Sequence, residues 1–157
     1  MATRVQFRRG TTSEHSSFTG AVGEVTVDTD KDVVVVHDGS TAGGKPSPSL
    51  STAQTFTGAQ KGSVTTLTSS SNATAIDLSV NNFFTITLSE NTTFGAPTNA
   101  VAGQAGSIFI VQDSSGNRTG SFHSNFKFTG GADPTLTTAA NAVDRIDYVV
   151  KSSTEIH

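Results

Sequence analysis

The chain has 157 residues, enough for one domain or for one domain plus a small attachment module, and its 34% apolar content falls short of a large private core. Only 15% of residues are charged, the net charge is −3, and 10 Phe need burial, which argues against both disorder and a basic nucleic-acid footprint. Cys is absent, so disulfides, thiolate metal sites and a Cys nucleophile are excluded, and no apolar run reaches the roughly 18 residues of a membrane-spanning helix.

Met1-Ala2-Thr3-Arg4 lacks the apolar stretch of a signal peptide, so synthesis in a cytoplasm without conventional export is expected. Val5 to Arg9 alternates as a strand. Thr11 and Glu14 have the spacing of a helix N-cap and its reciprocal acid, predicting one helical turn before Gly20. Gly23 to Asp28 and Asp32 to His37 read as two strands of a hairpin with a polar tip at Asp28-Thr29-Asp30-Lys31. The run Val33, Val34, Val35, Val36 has no polar face, so burial on both sides is expected, and a unit of this size achieves that by sharing its core with other copies. Residues 1–44 therefore read as a first unit that is expected to associate with other chains. The Pro- and Ser-rich stretch 45–56 reads as a linker.

Residues 57–157 read as an all-β domain of short strands with sandwich or jelly-roll spacing. The expected strands are Ser63–Leu67, Ala75–Val80, Phe83–Leu88, Gly106–Gln112, Gly120–Phe122, Phe126–Phe128, Arg145–Lys151 and a last one ending at Ile156. Asp113 to Asn117 reads as a hairpin turn, and Thr138 to Val143 as one helical turn.

Few side chains are spaced for chemistry. Asp28, Asp30 and Asp32 open like a calcium loop, but Val33 and Gly39 stand where that loop needs Gly and Glu. His37 and Asp38 are strand neighbours and point to opposite faces, with no nucleophile elbow in the sequence. His15, His37, His123 and His157 show no metal-ligand spacing, so neither a metal nor a cofactor is expected. Asp144 and Asp147 lie three apart near a strand and suit an ion pair with Arg145 better than a facing acid/base pair. Arg4, Arg8 and Arg9 are the basic cluster, and Glu24 or the Asp tip are their expected partners. Sequons at Asn72, Asn91 and Asn117 are expected by chance in so Asn- and Thr-rich a chain.

Val5-Gln6-Phe7-Arg8-Arg9-Gly10-Thr11, Glu14, Gly20-Ala21-Val22-Gly23-Glu24-Val25, Asp28-Thr29-Asp30 and Val36-His37-Asp38-Gly39-Ser40-Thr41 together resemble the N-terminal module of tailed-phage fibre proteins, in particular of phage tropism determinants. Gln54 to Gly58, Val101 to Ile110 and Ala142 to Val150 resemble the C-terminal part of small virion proteins of marine phages and prophages. The resemblance implies a non-enzymatic virion structural protein made in the host cytoplasm. It would be a homotrimer, anchored to capsid, neck or tail by residues 1–44, with the β-domain facing outward as a decoration or short fibre. The alternative it implies is a tail-fibre adhesin for a receptor or a host surface glycan; membrane insertion and nucleic-acid binding are not expected. The anchoring contacts expected are Arg8, Arg9, Glu24, Asp28, Asp30 and Asp32. The core or trimer contacts expected are Val33 to Val36, Phe83, Phe84, Ile108, Phe109 and Ile110.

Overall fold

Alternation of side chains along Val25–Asp28 and Val33–Val36 decides how the N-terminal residues fold. The computed structural model describes residues 5–49, 55–56 and 58–157. Arg4, positions 50–54 of the expected linker and position 57 lie outside the described residues. The chain divides into two compact units, Met1–Ala59 and Gln60–His157.

In the first unit β1 (Arg8–Gly10), β2 (Val25–Asp28), β3 (Val33–Val36) and β4 (Lys45–Pro46) form one sheet in that order. β1 pairs parallel with β2, and the other pairs are antiparallel. Thr26 stands opposite Val35 and Asp28 opposite Val33, and these four side chains are buried on one face. Val25 and Val27 are half-buried on the other face, where Val34 and Val36 remain 44% and 45% exposed. A single chain therefore buries one face of the valine run, not both, because successive strand residues point to opposite sides. The stretch expected to begin the linker adds β4, and Pro46 is tolerated there because β4 is an edge strand.

Between β1 and β2 lies the helical turn α1 (Thr12–His15). Thr11 caps it: its hydroxyl accepts from the Glu14 N–H at 3.2 Å, and the Glu14 carboxylate accepts from the Thr11 N–H at 2.7 Å. The Thr11 backbone N–H and then its hydroxyl hold the Glu14 carboxyl below the usual carboxylate range. Thr11→Ala is expected to cost about 1 kcal/mol, read as a lower denaturant midpoint of the full chain.

The second unit contains β5 (Thr65–Leu67), β6 (Ala73–Thr74), β7 (Phe83–Leu88), β8 (Thr92–Phe94), β9 (Ala105–Gln112), β10 (Gly120–Phe122), β11 (Val143–Ser152) and β12 (Glu155–Ile156). From β5 to β10 consecutive strands alternate between two sheets. β5, β7 and β9 stack parallel in one, while β6, β8 and β10 stack parallel in the other. The chain thus winds as a short solenoid of three two-strand coils. β11 then returns antiparallel along β9, and β12 pairs with β11. The unit is all-β and two-layered, as expected, but its layers are joined by parallel winding rather than by hairpins.

Inward side chains of both sheets meet in one core. Phe84, Ile86, Leu88, Ile108 and Ile110 come from one sheet, and Phe94 and Phe122 from the other, their rings stacked at 4.7 Å. Ala75–Val80 keeps its alternation, with Ile76 and Leu78 buried, but pairs only through a bridge of Asp77 with Thr98 and forms no strand. Phe126–Phe128 likewise contributes a bridge, Phe126 to Ile156, instead of a strand. Asp113 to Asn117 does turn, its Asp113 carboxylate accepting from the Ser115 and Gly116 N–H groups, but it leads from one sheet to the other and closes no hairpin. Thr138–Val143 makes no helical turn; a short 3-10 turn sits at Thr129–Gly131.

Candidate functional site

The N-terminal unit is built around a buried chain of hydrogen bonds. His15, Thr26 and His37 come from α1, β2 and the end of β3 and are 6%, 0% and 2% exposed. His15 Nδ1 lies 3.0 Å from the Thr11 carbonyl, an acceptor, so that nitrogen carries the proton. The Gly20 N–H points at His37 Nδ1 at 3.3 Å, so that nitrogen accepts. Both Nε2 atoms then meet the Thr26 hydroxyl, His15 at 2.8 Å and His37 at 2.9 Å. The end partners leave one consistent assignment: His37 Nε2–H donates to Thr26 Oγ1, and Thr26 donates to His15 Nε2. Gly20 has no side chain because His37 occupies its place; a Cβ there would lie 2.6 Å from His37 Cγ.

Around this chain lie the residues expected to anchor the protein. Arg8 pairs with Glu24 at 2.9 Å, as anticipated from sequence, and its guanidinium sits 4.9 Å over the Phe18 ring. Arg8, Arg9, Gly10, Glu14, His15, Phe18 and Thr26 line an open pocket of about 250 Å3. Asp28 turns inward instead of forming a solvated tip. Its carboxylate accepts from the Thr12 hydroxyl at 2.7 Å and from the N–H groups of Asp30 and Lys31. Burial works to raise the Asp28 carboxyl, and those hydrogen bonds outweigh it, leaving it below the usual range. Asp30 accepts from the Thr12 N–H at 2.9 Å, and Asp32 is exposed with a positive φ of 51°. The Asp cluster thus fastens the hairpin to α1 and makes no cation loop. Among the described residues, no group of three His, Asp or Glu is placed to hold a metal, and no helix is long and apolar enough to cross a membrane.

Asp38 does not touch His37. It closes the next turn, and the N–H of Thr41, the Thr41 hydroxyl and the N–H of Ser40 hold its carboxyl far below the ordinary value. A depressed carboxylate adds stability above its unfolded value, about pH 4, and loses it as pH falls through the folded one. Urea midpoints between pH 6 and pH 2 are therefore expected to fall more steeply for the parent chain than for Asp38→Asn.

In the second unit, Phe84, Ile108 and Ile110 are core residues, whereas Phe83 and Phe109 are half-buried on the outer face of the larger sheet. On that face Phe83, Ser107 and Asp147 form one row across β7, β9 and β11. Phe83 and Asp147 are two strand spacings apart, about 10 Å. The small residues Ala105, Gly106 and Ser107 leave a groove between them of about 410 Å3, also lined by Val149 and His157. The Ser107 hydroxyl donates to Asp147 at 2.6 Å, and Arg145 pairs with Asp147 at 2.9 Å. The Ser107 bond outweighs a small burial effect, and with the Arg145 charge it holds the Asp147 carboxyl below the usual range. Asp144 is occupied elsewhere, accepting from the Thr137 N–H and hydroxyl.

Residues 68–151 match the model of the phage tail fibre C-terminal domain family, which is more than half of the chain. The chain belongs to that family. Residues 5–41 of this fibre protein match the major tropism determinant N-terminal domain. A segment of 46 residues is 70% identical to the "Tail fiber receptor-binding protein" of Bordetella phage BPP-1, covering 29% of this chain and 12% of that one. The fibre protein thus spans only a small part of that relative's length. The M1 and I1 variants of the Major Tropism Determinant are solved structures 67% identical to it over 29% of this chain and 12% of theirs. Their TM-scores of 0.29 and 0.28 carry no argument about the fold. As a phage tail fibre protein, the chain is a virion component. The matched N-terminal stretch contains the whole His15–Thr26–His37 chain, which spacing did not reveal; the groove at Phe83 was likewise not foreseen.

Proposed function

We propose that this protein is a short fibre or decoration component of a phage particle, with residues 1–46 as its attachment end, the segment from 47 to 56 as the connection, and the solenoid unit facing outward. One observation carries the reading. High identity to the receptor-binding fibre protein is confined to 46 residues, while residues 68–151 match a different fibre domain. What the two proteins share is then the end that meets the particle. Arg8, Arg9, Glu24 and the exposed Asp30 and Asp32 are the surface groups of that end; Asp28 serves its internal fold. Phage carrying a gene without residues 1–46 is expected to yield particles that antibody against residues 57–157 no longer labels. Normal labelling would refute the reading.

The reading includes a homotrimer; what supports self-association of the N-terminal unit is the part-exposed face of Val25, Val27, Val34 and Val36. Light scattering on the purified chain tests it, and a stable monomer excludes it. No catalytic step is part of the proposal. Asp144 and Asp147 lie on opposite faces of β11 and do not face one another across a substrate.

The groove beside Phe83 favours a second reading, an adhesin for a neutral glycan. An aromatic wall facing a carboxylate, with a hydroxyl on the floor, suits a pyranose stacked on Phe83 with its hydroxyls on Asp147 and Ser107. Glycan-array binding that Phe83→Ala abolishes supports it, and an array without signal rejects it.

A further inference from the structure

We propose that the His15–Thr26–His37 chain lets the N-terminal unit fold only with both imidazoles neutral, so that mild acid opens it. All four ring nitrogens are engaged: Thr11 O and Thr26 Oγ1 for His15, Thr26 Oγ1 and the Gly20 N–H for His37. None of these partners is a carboxylate that would welcome a second positive proton. Each ring also has a defined conflict on protonation. A proton on His37 Nδ1 points at the Gly20 N–H, donor against donor. A proton on His15 Nε2 points at Thr26 Oγ1, which already receives His37 Nε2–H, so the Thr26 proton loses its acceptor in a site with 0% exposure. Charging both rings places two cations with centroids 6.2 Å apart.

The charged groups nearby are already committed or at the rim. Glu14 from the same helix caps Thr11, and its charge, which attracts a charged His15, is the contribution that works against opening; Asp28 of β2 is tied to Thr12 and the turn with Lys31 beside it, and Arg8 of β1 pairs with Glu24. Arg9 of β1 lines the pocket above His15 and adds positive charge there. Near His37, Asp38 pairs with Lys45 at 3.4 Å and closes its own turn.

An unfolded chain takes up protons on both rings below about pH 6.5, the ordinary imidazole value, and the bonded chain has no place for them. Stability therefore rises with pH and is lost as pH falls through that value. Two rings shift the folding equilibrium by up to about a hundredfold per pH unit. This window lies well above the one in which Asp38 titrates. Where this unit is the attachment end, acid releases the fibre from its particle.

The test is nitrogen-15 NMR of the imidazole rings of the intact full chain from pH 8 to pH 5. At pH 8 the expected tautomers are Nδ1–H for His15 and Nε2–H for His37. On acidification the folded ring signals of both should vanish together with the Gly20 and Thr26 amides. The Ile110 and Phe94 amides of the second unit should meanwhile persist. Smooth titration of His15 and His37 with the Gly20 and Thr26 amides retained overturns the proposal. So does a fully folded N-terminal unit at pH 5.

Discussion

Replacing Thr26 by valine is expected to unfold the N-terminal unit at neutral pH. The two side chains have nearly the same shape, so packing is preserved and only the hydroxyl is lost. That hydroxyl serves both His15 Nε2 and His37 Nε2 in a site with 0% exposure. Each buried polar group left without a partner costs about 1–3 kcal/mol, and two of them about 4 kcal/mol. A unit of this size holds only about 2–7 kcal/mol in total. Thr26→Ser keeps the hydroxyl and loses one methyl, so about 1 kcal/mol is expected. Urea unfolding of the full chain, followed at the Gly20 and Val35 amides, separates the two variants. Equal midpoints for the valine and serine proteins would show that the bridging hydroxyl contributes little.

Gly106→Ala is the largest effect expected in the second unit. A Cβ at this position would overlap the Asn82 carbonyl oxygen and lie 2.7 Å from the Tyr148 hydroxyl. That carbonyl accepts from the Ser107 N–H at 3.0 Å and from Tyr148 at 3.1 Å, so moving it breaks two bonds as well as the fit. Overpacking against backbone together with those losses is expected to cost about 3–5 kcal/mol. Gly103→Ala is the useful comparison. Its φ of 88° disfavours alanine, but a Cβ there meets nothing within 4 Å, so only the backbone cost of about 1–2 kcal/mol applies. Thermal unfolding read at the buried Tyr148 should rank the two variants in that order.

Much of the strand content was legible because alternation is a local property. Phe83–Leu88 and Gly120–Phe122 fall where the pattern put them, and the Thr11–Glu14 cap follows from two residues at fixed spacing. Alternation reports which side chains go inward, not whether the backbone finds a neighbour. That is why Ala75–Val80 buries Ile76 and Leu78 without joining a sheet. β8 was missed for the converse reason: Thr92–Phe94 is short and polar, and its pairing is supplied by β6 and β10 from elsewhere in the chain. Parallel winding is invisible to a local reading, since short strands with turns between them look alike in either connectivity. The same holds for the buried chain in the first unit. His37 drew notice for its neighbour Asp38, yet its partners are Gly20 and Thr26, which only the hairpin and the loop after α1 bring near.

The winding of the second unit also bears on how such proteins change length over evolutionary time. Thr65 lies beside Phe84, and Phe84 beside Ile108, so the turns of the winding repeat the same lateral contacts after 19 and 24 residues. An insertion or deletion of one whole turn leaves the entry strand and the β11–β12 closure with neighbours of the same kind. A change of one or two residues within a turn instead sends inward side chains outward. Natural variants of this domain should therefore differ in size by steps of a full turn, lengthening or shortening the winding without redesigning either end.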